Sequence, residues 1–322
     1  MKNMRIPILS ALGVAIIGII IGTFCDYQIS SSIASATSVF GLTVSVIGPT
    51  IGFSGLAFVG GGMAALGTKE KKMWAKILFF AASAIAEFVT VYYAGREYFG
   101  INGFYQYENL TFVGLLIAAI CGGAAEVGGF YVFKNSKIED SWLPFVLVYA
   151  VLLLVLIAAI PILKDTMHRP RYRTVLDQSL VPFHRWYQRC ANYKEYMTIN
   201  NISGEEFKSF PSGHTGEAAI LIVIAAFAPL ANDKIKKYQL PLFICACVFV
   251  AFVGLGRICA AAHYLSDVSM GAALTLIFTC IANEVLIFVN KKKEAKPASQ
   301  EPAEEVKEAP VEEEVKEEAK AE

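Results

Sequence analysis

Long apolar runs alternate with short polar segments along this chain. A helix that crosses the hydrocarbon core of a bilayer needs about 20 residues, and the runs are close to this length. They lie at Ile6–Phe24, Gly41–Gly67, Ile77–Ala94, Thr111–Phe133, Trp142–Leu163, His214–Ala231, Leu240–Leu255 and Val268–Val289. The pattern predicts an all-α fold, a polytopic transmembrane bundle of about eight helices that occupies residues 1–290.

The charge of the short polar segments predicts the orientation of the bundle. Lys and Arg recur at the N-terminus, in Thr68–Lys76, in Lys134–Asp140, in Asn232–Tyr238 and in Lys291–Lys293. With eight helices these segments share one face, which the positive-inside rule makes cytoplasmic, together with both termini. The basic segment 164–210 then falls on the outer face, against the rule. We interpret it as a binding site for an anionic group.

The two ends of the chain have different character. A basic start and an apolar run resemble a signal peptide, but no A-x-A-like cleavage site follows, so we expect a retained first helix and a Ser/Thr-rich connector at Asp26–Phe40. Residues 291–322 are rich in Glu, Lys, Ala and Pro and predict a disordered, charged cytoplasmic tail. The seven cysteines lie mostly in apolar runs, where we expect packing residues and no disulfides.

Residues whose side chains could bind a ligand or take part in a reaction are concentrated in three blocks, which the topology places at one membrane face. The blocks are Lys164–Tyr172, Phe210–His214 and Arg257–Asp267. Their lysine and arginine side chains provide fixed positive charge, and arginine can grip phosphate oxygens with two N–H groups. Pro-Ser-Gly at a helix start offers unpaired backbone N–H groups, and the glycine allows a close approach. The combination predicts a phosphate site.

Two histidines in these blocks suit covalent catalysis. Of His214 and His263, one can serve as nucleophile and the other as acid or base. His263 and Asp267 are four residues apart, which on a helical turn places them on one face. The carboxylate would then hold the imidazole in one tautomer and stabilise its positive form.

Together the blocks resemble the signature of the type 2 phosphatidic acid phosphatase family, the membrane relatives of vanadium haloperoxidases. That signature reads Lys-x6-Arg-Pro, then Pro-Ser-Gly-His, then Ser-Arg-x5-His-x3-Asp. Pro211–His214 and Arg257–Asp267 match it, with Gly256 in place of the usual Ser. The resemblance covers the chain from Ile77 or Trp142 to Val289 and implies a six-helix core, so that one helical pair ahead of the catalytic loop is additional.

The first block matches the signature less closely. Lys164 and Arg171 have the expected spacing, but Tyr172 follows where the family has Pro. Arg169 and Pro170 supply the Arg-Pro dipeptide two residues early. Arg171 is therefore the preferred phosphate ligand, and Arg169 stays a candidate.

The resemblance implies a role for each matching residue. His263 would be the nucleophile that forms a phosphohistidine, Asp267 would orient it, and His214 would protonate the leaving oxygen and later activate water. The phosphoryl oxygens would be held by Lys164, Arg171, Ser212, Gly213 and Arg257. Neither a metal ion nor another cofactor is implied.

The expected function is metal-independent hydrolysis of a phosphomonoester or pyrophosphate on a lipid at the outer face of the cell membrane. Polyprenyl pyrophosphate, phosphatidic acid and phosphatidylglycerol phosphate are candidate substrates. A phospho-head-group transferase would use the same residues. A non-enzymatic transporter or scaffold is the alternative from another class, and the intramembrane carboxylates Glu87 and Glu126 keep it open, although we favour their pairing between helices.

Other polar and aromatic residues near the blocks have two interpretations each. Glu217, three residues after His214, either tunes the site from beneath or makes a packing hydrogen bond, and Glu284 is a further carboxylate of the catalytic half. The aromatic residues of the loop 172–210 form either an interfacial belt or a lid over a lipid tail, with Arg185 or Arg189 meeting the head group and His184 as a polar anchor. These residues are Phe183, Trp186, Tyr187, Tyr193 and Tyr196.

Overall fold

The computed structural model describes residues 4–98, 111–136, 142–176, 180–231 and 233–294. These residues contain eleven α-helices and no strand: α1 Arg5–Ile33, α2 Val39–Gly67, α3 Met73–Arg96, α4 Thr111–Phe133, α5 Trp142–Met167, α6 Tyr193–Asn200, α7 Gly213–Ala218, α8 Ile222–Ala231, α9 Asp233–Lys236, α10 Gln239–Cys259 and α11 Leu265–Glu294. Seven of the described helices are long and apolar enough to cross a membrane. The predicted all-α polytopic bundle is confirmed, and the predicted tail beyond α11 lies outside the described residues.

The sixth predicted run forms an interrupted helical segment. A 3-10 turn at Ala219–Leu221 separates α7 from α8. Close packing fixes α7 on two sides, because a Cβ atom at Gly52 of α2 would lie 2.4 Å from the carbonyl oxygen of Glu217. A Cβ atom at Gly271 of α11 would lie 2.4 Å from that of Ser212. The segment that opens with the Pro-Ser-Gly-His motif is therefore held against two long helices.

The predicted connector Asp26–Phe40 is wrong over most of its length. Helix α1 continues to Ile33, and α2 begins at Val39 with the Ser38 side chain accepting a hydrogen bond from Gly41 N. Polar residues suggested a loop because their side chains compete with the backbone for hydrogen bonds. Here Asp26 is buried and bonded to other segments, so tertiary contacts outweigh the local preference.

Helix α2 occupies the centre of the bundle. It packs against the α3–α4 hairpin on one side and against α7 and α10 on the other, while α1 packs mainly against α11. Cβ atoms at Gly61 or Gly129 would lie 1.8 Å from a carbonyl oxygen of the facing helix, so α2 and α4 pack backbone to backbone. The peripheral α3–α4 hairpin fits the additional helical pair that the family resemblance implies.

The loop between α5 and α7 has a small core of its own. Tyr172, Val181, Phe207 and Tyr264 are buried together, and Phe183, Tyr193 and Tyr196 pack against them. Trp186 and Tyr187, the other two aromatic residues that the sequence singled out, lie apart from this core. The Trp186 indole stacks on Phe210 and donates to Thr23 Oγ1, whereas Tyr187 is exposed. Most of these aromatic side chains therefore fix the loop on the bundle.

Candidate active site

Backbone hydrogen bonds join the three polar blocks at one end of the bundle. Ser209 N donates to Arg169 O at 3.0 Å, and Ser212 N donates to Asp267 O at 3.0 Å. The first bond connects the end of α5 with the loop before α7, and the second connects that loop with α11. The structure thus brings together residues that are about 100 positions apart in sequence.

The His263 ring is buried, and two oxygen atoms lie near its Nδ1 nitrogen. Nδ1 lies 2.7 Å from the carbonyl oxygen of Ser209 and 3.7 Å from Asp267 Oδ2. A carbonyl oxygen only accepts, so Nδ1 carries the proton and Nε2 is left with its lone pair. The direct His263–Asp267 hydrogen bond that the spacing predicts is absent among these contacts, because Asp267 Oδ2 already accepts from Tyr264 N and Ser209 Oγ.

Burial and nearby charge keep His263 neutral. Burial lowers the pKa of its imidazole well below 6.5, and the positive charges of Arg257, Arg171 and Lys164 lower it further. A neutral imidazole with a free Nε2 lone pair is the form that attacks phosphorus. In chemical terms, His263 is thus able to act as a nucleophile.

Arg169 is fully buried in a compensated ionic network. Its Nη1 donates to Asp267 Oδ1 at 2.6 Å, its Nη2 to Asp26 Oδ2 at 2.8 Å, and its Nε to His184 O at 2.9 Å. Every guanidinium nitrogen is thus engaged by protein oxygen, which leaves Arg169 unsuited to bind phosphate. Arg169 therefore has a structural place behind Asp267, and Arg171 stays the preferred candidate for the phosphate ligand.

Three other cations gather with the two histidines. Arg257 is 1% exposed, and its Nη1 donates to Ser45 Oγ of α2, while Nε and Nη2 have no hydrogen-bond partner among the described residues. Arg171 is also buried, with its Nε donating to Glu205 O at 3.0 Å. The Lys164 ammonium comes so close to α7 that a Cβ atom at Gly213 would lie 3.3 Å from it. Buried positive charge without full compensation is costly and fits an anionic ligand.

Two small residues shape this cluster. Ser212 caps α7, with its Oγ accepting from Thr215 N at 3.4 Å. Gly256, which stands where the family usually has Ser, packs against α2: a Cβ atom there would lie 2.5 Å from Val44 Cγ1. The departure from the family signature therefore accompanies the close packing of α10 on α2.

Sequence reasoning missed one acidic residue of the site. Glu97, directly after α3, lies with its Oε2 3.2 Å from His214 Nε2, in an ion-pair contact without hydrogen-bond geometry. Its Oε1 accepts from Arg96 Nε at 3.1 Å. Burial alone would raise the pKa of Glu97, but His214, Arg96 and Arg257 lower it to about 2. No sequence signal marked Glu97, because its proximity to His214 depends on how α3 packs.

A cavity of about 240 Å³ opens beside the cationic cluster. Its polar end is lined by Gly213 and by three basic and three acidic side chains, with Arg96 Nη2 3.6 Å from Glu217 Oε1. These charged residues are Arg96, Lys164, Lys208, Asp165, Glu205 and Glu217. The remaining wall is largely apolar and is formed by Phe53, Tyr93, Leu156, Ile157, Ile160 and Ile220. One cavity therefore joins a charged end, which contains Lys164, to an apolar wall, and Glu217 lies at the charged end.

The other carboxylates that the sequence singled out lie away from the cluster. Ser83 Oγ donates to Glu126, which links α3 to α4, and Glu87 lies on the same hairpin next to Gly122. Glu284 pairs with Arg5 of α1. The described residues contain no group of three or more His, Cys, Asp or Glu side chains with the placement of a metal site.

Comparison with protein families agrees with this geometry. The family model of the PAP2 superfamily matches residues 144–291, which extend from α5 to α11 and include all three polar blocks. This region belongs to the PAP2 superfamily, so the predicted type 2 phosphatidic acid phosphatase resemblance is confirmed. Membership indicates a phosphatase-type enzyme that acts on lipid phosphates in a membrane. No curated protein and no solved structure matched the chain.

Proposed function

We propose that this protein hydrolyses a phosphomonoester or pyrophosphate of a lipid through a phosphohistidine on His263. The observation that carries the proposal is a neutral, buried nucleophile beside incompletely compensated cations. Arg257 in particular has two buried nitrogens without a partner among the described residues. A phosphoryl group placed there would satisfy them and bring phosphorus next to His263 Nε2.

The reaction uses two displacements at phosphorus. His263 Nε2 attacks, the bond from phosphorus to the leaving oxygen breaks, and His214 gives that oxygen a proton. Water then attacks the phosphohistidine, His214 takes a proton from it, and the P–N bond breaks to release inorganic phosphate and regenerate His263. Lys164, Arg171 and Arg257 neutralise the phosphoryl oxygens throughout, with Ser212 and Gly213 at the edge of the phosphate position. We expect no metal requirement, because these side chains provide the positive charge.

The apolar wall of the cavity favours a lipid as the leaving group. Its hydrophobic side chains come from α2, α3, α5 and the turn after α7. They line the same cavity as Lys164. An apolar chain buried there contributes about 25 cal/mol per Å² of area removed from water. Polyprenyl pyrophosphate, phosphatidic acid and phosphatidylglycerol phosphate all combine such a chain with a terminal phosphate.

The location of the site follows from charge asymmetry in the loops. The described basic segments 68–76 and 233–238 lie at the helix ends opposite to the site, which the positive-inside rule makes cytoplasmic. We therefore propose a multi-pass protein of the cell membrane with cytoplasmic termini and an extracytoplasmic active site.

Phosphate release by the purified full-length protein tests the proposal. The substrates are the three lipid phosphates above, each with and without EDTA. His263→Ala should lower kcat/KM by about 1,000-fold or more, because it removes the nucleophile. His184→Ala is the matched control, since its ring bonds only to Pro182 O and its backbone contact with Arg169 survives the substitution. Wild-type activity of His263→Ala would refute the mechanism.

A further inference from the structure

We propose that Glu97 is the positioning residue of His214, orienting this histidine and opposing the loss of the proton that it gives as general acid. The inference rests on the proposed function, since it concerns the proton that the leaving oxygen receives. Glu97 lies outside residues 144–291, the region of the family match, and comes from the end of α3. The peripheral hairpin would thus contribute directly to the chemistry.

The contact between the two residues is close and shielded. Glu97 Oε2 lies 3.2 Å from His214 Nε2, and the two side chains are 11% and 7% exposed. In such a setting a carboxylate stabilises the imidazolium strongly, because little water screens the charges. The second oxygen of Glu97 is held by Arg96 Nε, so the carboxylate itself has a fixed orientation.

Arg96 is anchored in turn. Its Nη2 lies 3.6 Å from Glu217 Oε1, and its guanidinium carbon lies 4.4 Å from the centre of the Tyr93 ring. Glu217, Arg96 and Glu97 thus form a row of alternating charge that ends at His214. A row of this kind favours one position of the last carboxylate and, through it, one position of the imidazole.

The two catalytic histidines differ in how their carboxylates are arranged. Asp267 is neutralised by Arg169 at 2.6 Å and lies 3.7 Å from His263. Glu97 lies 3.2 Å from His214. Each carboxylate is also paired with an arginine, but Glu97 lies closer to its histidine and, at 3.1 Å, farther from its arginine than Asp267 does. His214 therefore receives more negative charge than His263, and unequal surroundings of this kind can separate an acid from a nucleophile in one site.

Without Glu97, His214 would face mainly positive charge. The titratable or charged groups around its ring are Glu97 after α3, Lys164 of α5, Arg257 of α10, His263 before α11 and, one turn along its own helix, Glu217. The two cations repel a proton on the imidazole. Glu97 is the carboxylate in contact with the ring, so it counters this repulsion.

The test is the pH dependence of lipid phosphate hydrolysis by the full-length protein. Glu97→Gln keeps the size and loses the charge. We expect kcat to fall about 10- to 100-fold, less than the roughly 100- to 10,000-fold that general acid catalysis contributes in full, because His214 itself is retained, with a smaller change in KM. We also expect the alkaline limb of the kcat profile to move to lower pH by about one unit or more, because His214 then loses its proton more readily. Glu97→Asp, which keeps the charge at a greater distance, should give an intermediate shift.

Glu126→Gln is the matched control. It removes a second carboxylate from the same α3–α4 hairpin, one that bonds to Ser83 and lies away from the histidines. We expect its pH profile to match that of the wild type. A change in Glu126→Gln equal to that in Glu97→Gln would indicate a structural effect of the hairpin and overturn the proposal.

Other outcomes also decide the question. A folded Glu97→Gln protein with an unmoved alkaline limb contradicts the proposal, as does one that is faster and binds vanadate more tightly, since Glu97 would then compete with phosphate. If Glu97→Gln does not fold, an unmoved limb in Glu97→Asp has the same meaning. An inactive His263→Ala with a wild-type Glu97→Gln profile refutes only this inference, whereas an active His263→Ala refutes the proposed function beneath it.

Discussion

Two buried charge clusters lie side by side at one end of the bundle, and they are balanced differently. In the first, Arg169 contacts Asp26 and Asp267, so one positive charge meets two carboxylates. In the second, Arg171 and Arg257 lie with Lys164 around two histidines, and buried nitrogens of Arg257 have no partner among the described residues. The first cluster is complete within the protein, and the second has capacity for an anion.

The comparison distinguishes buried arginines that stabilise the fold from those that are candidates for binding phosphate. Arg169 and Arg257 are both buried, yet Arg169 holds the carboxylates of Asp26 and Asp267. A buried arginine is therefore no evidence for phosphate binding by itself. What distinguishes the two is that Arg257 Nε and Nη2 have no hydrogen-bond partner among the described residues.

The largest effect should follow from breaking the balanced cluster. Arg169→Met leaves Asp26 and Asp267 buried without their counter-charge, and removing one partner of a buried pair typically costs about 3–5 kcal/mol. We expect a lower free energy of unfolding by that amount, visible as a lower melting temperature in detergent. Arg185→Met, at an exposed position, is the control. Equal melting temperatures for Arg169→Met and wild type would refute the structural role.

A change in the second cluster should affect activity rather than stability. Arg257→Met removes a charge that the protein compensates incompletely, so we expect an unchanged or higher melting temperature. Loss of one preorganised donor to the phosphoryl oxygens should lower kcat by about 100- to 1,000-fold. Phosphate release and thermal unfolding, measured on the same sample, check both parts. A destabilised Arg257→Met with wild-type activity would reverse the comparison.

The smallest effect concerns the acid side of the pH profile. The pKa of His263 lies well below 6.5 because of burial and the surrounding cations, so the nucleophile stays unprotonated as the pH falls through 6.5. We expect kcat/KM to change less than about twofold between pH 7.5 and 6.5. The unfolded chain binds a proton at His263 near pH 6.5 and the folded chain does not, so this residue lowers stability as the pH falls below that value. An acid limb centred near pH 6.5 would contradict the shift.

Much of the fold could be predicted from the apolar pattern. The run Thr111–Phe133 coincides with α4, and Gly41–Gly67 differs from α2 by two residues. The prediction failed at Asp26, where a buried ionic contact with Arg169 keeps α1 helical through a polar stretch. Such a contact joins residues 143 positions apart, and no local signal reveals it.

The candidate site could also be predicted only in part, because local spacing reveals some of its residues and long-range packing determines the others. The spacing within the three blocks identified His263, His214 and Asp267, and the structure brings them to one place. Spacing favoured Arg171 but left Arg169 as a candidate, because the choice depends on where each side chain points. It also gave no sign of Glu97, whose role depends on the packing of a hairpin outside the family region.

The central claim is that His263 carries the phosphoryl group, and trapping that group tests it most directly. His214→Ala should retain the nucleophile and slow the hydrolysis of the intermediate, so a lipid phosphate incubated with this variant and quenched in alkali should leave phosphohistidine. Mass spectrometry of the peptide that contains His263 would locate it. We predict phosphorylation at His263 and its loss in the His214→Ala/His263→Ala double variant. Phosphorylation at a different residue, or turnover with no phosphoenzyme in any variant, would contradict the account.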